Sequence, residues 1–262
     1  MIEQSTTAQP AAELVLGERP EVRRAPTLLD AHGRTYHGML SLWIVDAPSQ
    51  GDSAARLAPD VLDGAEQHRA AAFRRSADRR CYTVAHVALR VLLGAHLGAD
   101  AGAVRLVREP CPSCGDLHGR PAVQGGGVHF SLSHSDDVVL IGIAEAPVGV
   151  DVQRIPPAGV VAETSASLHP TETAELAAEP DGTKPLAFAR AWTRKEAYLK
   201  GIGTGLSRDP ALDYVGTGEG AGPGPRGWVL GDVAAPEGYA GAFAVRADGG
   251  GRRPCPLPRA SG

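Results

Sequence analysis

Two periods of apolar and polar positions alternate along the chain, and the places where one gives way to the other mark its elements. Residues 39–45 form a short apolar run followed by Asp46-Ala47-Pro48, which predicts a strand and then a Pro/Ser/Gly loop. Helical spacing takes over in two segments, roughly 58–73 and 77–97. In the second, Val84, Val87, Ala88, Val91 and Leu92 share a face, and Gly98 is placed to stop it. Residues 104–109 predict a strand that enters the loop CPSCGDLHGRP. Residues 128–133 alternate, end at His134-Ser135-Asp136-Asp137, and pair with the apolar run 138–144 as a hairpin. A further strand, 147–152, is apolar except for Asp151 and is closed by Pro156-Pro157. Short helices are expected over 158–180, with Thr171 as an N-cap, and short strands at about 211–215, 226–230 and 239–246. Residues 1–36 and 248–262 show no periodicity and are expected to be disordered.

The segment 188–206 carries the most unusual pattern. Good helix formers run from Phe188 to Lys200, and Gly201, Gly203 and Gly205 then favour a stop. At 100° per residue, Phe188, Trp192 and Leu199 fall on one stripe, with Lys195 and Glu196 on its two edges and Lys200 one turn past Glu196. Thr193 and Arg194 point elsewhere. Charges bordering an aromatic, inward face are costly unless paired, hydrogen-bonded or bound to a metal. Taken alone, the helix is equally well explained as a surface element with an i,i+4 pair between Glu196 and Lys200. Asp151 tips the balance, because aspartate is depleted in buried strands and one there calls for a metal, a lysine or a cap.

Composition narrows the class. A chain of 262 residues with formal charge −4 and pI near 6.1 carries no global signal for nucleic acid or membrane binding. No apolar run reaches 18 residues and the N-terminus lacks the pattern of a secretory signal, so the expectation is a cytoplasmic protein. Within that acidic chain, residues 66–90 hold six arginines against two acids, which suits either an anionic, phosphate-bearing ligand or a solvated helix face. The cysteines, Cys81, Cys111, Cys114 and Cys255, are too scattered for a disulfide framework. Cys111 and Cys114 have C-x-x-C spacing and His118 adds a third donor. A structural zinc site normally needs four donors and there is no second C-x-x-C, so a reduced, loop-stabilising pair is the expectation. No G-x-S-x-G nucleophile elbow surrounds Ser133-His134-Ser135, which speaks against a hydrolase triad.

Taken in order, the basic helix, Gly119-Arg120-Pro121, FSLSHS at 130–135, GVDVQ at 149–153 and WTRKEAYLK at 192–200 resemble the 4′-phosphopantetheinyl transferases of the surfactin-synthetase-activating (Sfp) type. The resemblance spans roughly residues 40–246, and the pairing of the last two motifs is its specific part. It implies an α+β fold of two similar, pseudo-twofold lobes, 37–146 and 147–247, with the active site between them in a single chain acting as a monomer. It implies transfer of the phosphopantetheine arm of coenzyme A to a serine of an acyl or peptidyl carrier protein, with Mg²⁺ (Mn²⁺ as an alternative) and release of adenosine 3′,5′-bisphosphate. The resemblance assigns Asp151, Gln153 and Glu196 to the metal, Glu196 to the serine proton, and Lys200 and Lys195 to phosphate oxygens. Arg120, Ser133 and His134 match nucleotide-contacting positions, and Arg75, Arg79 and Arg80 are candidates for the 3′-phosphate. One departure stands out: the family's closing glutamate is here Gln153, whose amide can ligate but adds no charge. Two rivals arise from the same residues. One is a non-catalytic carrier-protein or coenzyme A binding module; the other is a zinc-stabilised nucleic-acid binder built on Cys111, Cys114, His118 and the arginine helix, which the acidic charge opposes.

Overall fold

The structure, a computed structural model, describes residues 28–29, 35–36 and 38–247. The two terminal segments expected to be disordered lie outside these residues, except for a two-residue antiparallel ladder of β1 (Leu28–Leu29) with β2 (Thr35–Tyr36).

The first apolar run is β3 (Leu40–Asp46). The residues after it form a helix rather than the expected loop. Asp46 caps α1 (Ala47–Val61), accepting from the Ser49 amide at 2.9 Å, and Pro48 sits in the first turn, where its missing N–H costs nothing. The single helix expected over 58–73 is likewise divided. Asp63 and Glu66 form a reciprocal capping box that starts α2 (Gly64–Ala72). The long helix α3 (Ser76–Leu97) ends at Gly98 with φ +64, the left-handed cap its position suggested.

β4 (Leu106–Arg108) pairs with β5 (Pro121–Val123), a strand too short for its periodicity to show. The hairpin is β6 (His129–Ser135) with β7 (Val138–Ala144), turned by Asp136 at φ +48 and Asp137. β3 completes an antiparallel sheet in the order β3-β7-β6, on which α1 and α3 pack through Trp43, Val84, Ala88, Phe130 and Ile141.

A second antiparallel sheet, β8-β10-β9, comprises β8 (Val148–Arg154), β9 (Trp228–Val233) and β10 (Tyr239–Arg246). The strand expected at 211–215 is absent; Pro210–Leu212 is a 3₁₀ turn capped by Asp209. Between the sheets' strands come α4 (Ala158–Thr164), α5 (Pro170–Ala178) and α6 (Lys184–Ile202). The N-cap of α5 is His169, not Thr171, because Pro170 occupies the first turn.

The two sheets meet edge to edge at β6 and β8. The serines of FSLSHS replace a backbone ladder there: Ser131, Ser133 and Ser135 accept from the amides of Val150, Val152 and Arg154 at 3.0, 3.4 and 3.0 Å. Alternate residues of a strand share a face, so three serines at spacing two satisfy an otherwise open edge. An apolar layer of Leu140, Val150, Phe243 and Val245 backs this joint. No helix among the described residues is long and apolar enough to cross a membrane.

Candidate active site

Gly149 sets the geometry of the site. A Cβ at that position would stand 1.9 Å from the Ala197 carbonyl oxygen and 2.5 Å from the Gly201 amide, so glycine lets the backbones of β8 and α6 touch. Asp151 lies two residues on, on the same face of β8, and so meets the turn of α6 that carries Glu196 and Lys200.

Asp151 is only 1 % exposed. Its Oδ1 accepts from the Ser133 hydroxyl at 2.7 Å and from Lys200 Nζ at 2.6 Å, while Oδ2 accepts from Gln153 Nε2 at 3.2 Å. Lys200 also donates to Ser133 Oγ at 3.0 Å. Glu196 is half-buried and makes no hydrogen bond or ion pair among the described residues. Burial, then the charge of Asp151, pushes its pKa above the usual carboxylate value, against a smaller opposing pull from Lys200. Two carboxyl groups close enough for the charge of Asp151 to act on Glu196, with an amide oxygen in reach by rotation of Gln153, form an oxygen donor set suited to a hard divalent cation.

Beside this cluster opens a cleft of about 350 Å³ whose ionisable lining is basic throughout: His86, Arg108, His118, Arg120 and Lys200. Arg120 is held by Glu109 (Nε to Oε2 2.6 Å) and by the Gly201 carbonyl at 3.1 Å, which fixes it across the end of α6. His134 is exposed at the end of β6; partial desolvation, then His86 and Lys200, lower its pKa, placing it among these cations. Basic side chains gathered in a cleft create a positive potential that favours anions.

Other candidates lie elsewhere. Lys195 is buried at 2 % exposure, its Nζ 2.7 Å from Glu172 Oε2 and donating to the carbonyls of Pro210 (2.9 Å) and Asp213 (2.5 Å). It faces α5 and the 210–213 turn, so it joins elements and is not available to a phosphate in the cleft. Arg194, fully buried, forks onto Asp232 (2.7 and 2.6 Å) and reaches the Gly216 and Gly218 carbonyls. With Thr193 also buried, burial of α6 around this turn extends well beyond one aromatic stripe. Arg80 packs on Gly51 and braces the β6–β7 turn through Asp137 at 3.3 Å. Arg75 and Arg79 are exposed and outside the cleft lining; Arg75 immediately precedes α3, and Arg79, Tyr82 and His86 share one face of the helix, which leads to the cleft at His86.

His86 and Arg108 were not singled out from sequence. The 75-79-82-86 spacing could have pointed to His86; nothing in a three-residue strand distinguishes Arg108.

The basic cleft adjoins Asp151 and Glu196 through Lys200, which lines the cleft and pairs with Asp151. Residues 147–227, which supply Asp151, Gln153, Glu196 and Lys200, match the family model of the 4′-phosphopantetheinyl transferase superfamily. The chain is 32 % identical over 161 residues to the 4′-phosphopantetheinyl transferase HetI of Nostoc sp., covering 60 % of this chain and 64 % of that protein. It is 36 % identical over 90 residues to the 4′-phosphopantetheinyl transferase gsp of Aneurinibacillus migulanus (34 % and 37 % covered). With the 4′-phosphopantetheinyl transferase Sfp of Bacillus subtilis it shares 29 % over 92 residues (34 % and 40 % covered). The chain thus spans less than two thirds of the length of these curated relatives. The similarity is to 4′-phosphopantetheinyl transferases as a superfamily rather than to one type within it.

Proposed function

We propose that this chain is an Sfp-type transferase that moves the 4′-phosphopantetheine arm of coenzyme A onto a carrier-protein serine and releases adenosine 3′,5′-bisphosphate. The observation that carries this reading is that Asp151 and Glu196 gather around Lys200, which lines the basic cleft, within the segment that matches the superfamily.

Coenzyme A lies in the cleft with its phosphates against Arg120, Lys200, Ser133 and His134, and its 3′-phosphate toward Arg75 and Arg79. Asp151 and Glu196, with Gln153 after rotation of its amide, hold Mg²⁺ or Mn²⁺. When bound, the ion neutralises pyrophosphate charge. The serine oxygen forms a bond to the β-phosphorus as the bond to the bridging oxygen breaks. Glu196, made more basic by burial, takes the serine proton. Lys200 stabilises charge on the departing bisphosphate. An apolar groove of about 670 Å³ beside Gln153, with Pro156, Val160, Phe188 and Trp192 along it and Arg154 at its edge, is where we place the carrier. The two sheets, each with its long helix, are read as the two lobes (37–146 and 147–247) of a monomeric, cytoplasmic enzyme.

Intact-mass measurement on a panel of apo-carriers tests the reading. With chain, coenzyme A and Mg²⁺, at least one carrier gains one phosphopantetheine. Glu196→Ala removes the gain while its circular dichroism and thermal unfolding match wild type. A panel that stays apo, or a Glu196→Ala variant working at the wild-type rate, rejects it.

A further inference from the structure

The loop joining β4 to β5 contains a donor set outside the carboxylate cluster. Cys111, Cys114 and His118 bring one donor atom each within 4.8 Å of one another. Cys114 Sγ lies 2.9 Å from His118 Nε2 and 3.6 Å from Asp116 Oδ2. Tetrahedral zinc, with bonds of about 2.3 Å to sulfur and 2.0–2.1 Å to nitrogen, separates its donors by about 3.5–3.8 Å, so side-chain adjustment alone can close the set.

The backbone is already folded for this. Gly115, at φ +83, donates its amide to Cys111 O at 2.8 Å, and Cys111 N–H returns to Asp116 O at 2.7 Å. The amides of Ser113 and Cys114 point at the Cys111 sulfur. Cys111 is buried, while Cys114 and His118 are exposed and open to an arriving ion. Asp116, whose carboxylate lies beside Cys114 alone, is one candidate for the fourth position and a water is the other.

We infer that Cys111, Cys114 and His118, with Asp116 or a water as the fourth donor, form a zinc site that fixes the β4–β5 loop. Binding replaces the two thiol protons, which leave to solvent. The consequence lies next door: His118, Gly119 and Arg120 are consecutive, and all three line the basic cleft. Zinc therefore holds the segment that presents Arg120. That last step rests on the cleft binding coenzyme A as proposed; the metal site does not.

The test uses the full-length, untagged chain. Reduced protein incubated with Zn²⁺ and freed of excess should retain about one zinc per chain by elemental analysis, and Cys114→Ser or His118→Ala about 0.2 or less. Cobalt substitution of wild type should give a thiolate-to-cobalt charge-transfer band and tetrahedral d–d bands, a readout that needs no variant. Wild type retaining under about 0.1 zinc, or lacking the thiolate band, overturns the site. Stripping zinc should weaken coenzyme A binding about tenfold by calorimetry, restored on adding Zn²⁺ back. Unchanged affinity overturns the coupling to the cleft. A zinc-bearing chain that does not bind coenzyme A supports the metal site and rejects the functional reading instead.

Discussion

Replacing Gly149 with alanine puts a methyl group where a strand and a helix touch through their backbones. The new Cβ would sit 1.9 Å from the Ala197 carbonyl oxygen, while real Cβ contacts are essentially never under 3.0 Å, so helix and strand must part by about 1.1 Å. The obstructing atoms are main chain, leaving no side chain to swing away. Overpacking of this kind costs about 1–3 kcal/mol, and rigid backbone on both sides places this case at the upper end. The same displacement stretches the Lys200–Asp151 contact from 2.6 Å to about 3.7 Å, outside hydrogen-bonding range. Misplacing reacting groups by about 1 Å can lower a rate about 10²-fold. Urea unfolding followed by tryptophan fluorescence gives the stability term, and single-turnover modification of an apo-carrier gives the rate. Gly159→Ala is the control: no atom within 4 Å meets its Cβ, and an alanine in the first turn of α4 should be neutral or stabilising by up to about 1 kcal/mol. Should Gly149→Ala unfold within about 0.5 kcal/mol of wild type and react at the wild-type rate, the claim that this contact sets the spacing of the cluster is wrong.

Lys195→Ala strands Glu172 in the interior, and the urea midpoint should report a loss of about 3–5 kcal/mol. Normal stability with a lost rate would instead return Lys195 to the phosphates. Gln153→Glu adds a charge beside Asp151 and should lower the Mg²⁺ concentration for half-maximal rate severalfold; an unchanged value places residue 153 outside the metal's ligands. The hydrogen bond from Tyr214 to Glu175, helped by burial, holds the Tyr214 pKa up at about 12, so its stabilisation is complete below the ordinary phenol value of about 10 and fades as pH rises through about 12. Tyr214→Phe should therefore be less stable than wild type near neutral pH, by about 1–2 kcal/mol, with the gap narrowing in alkali. A gap independent of pH would count against the hydrogen bond as its source.

Strands and long helices were legible where one period persisted: β3, the β6–β7 hairpin, β8, α3 and β10 fall within a residue or two of their patterns. Errors arose where local chemistry overrode pattern. Pro48 and Gly51 look like loop residues until Asp46 supplies a cap and Arg80 needs the space beside Gly51. The WTRKEAYLK segment shows the same limit within the site. Helical spacing set Lys195, Glu196 and Lys200 at the border of an apolar face, a placement that only Asp151 turned from a surface pairing into a candidate site, and it could not say which wall each would meet. That is decided by acids distant in sequence. Glu172 on α5 takes Lys195, Asp232 on β9 takes Arg194, and Asp151 on β8 takes Lys200. Glu196 alone among these charges finds no such partner among the described residues, and its pKa rises accordingly. Two pairings make a brace for the helix, the third ties it to the cleft, and the carboxyl left over is the group with capacity to spare for a ligand.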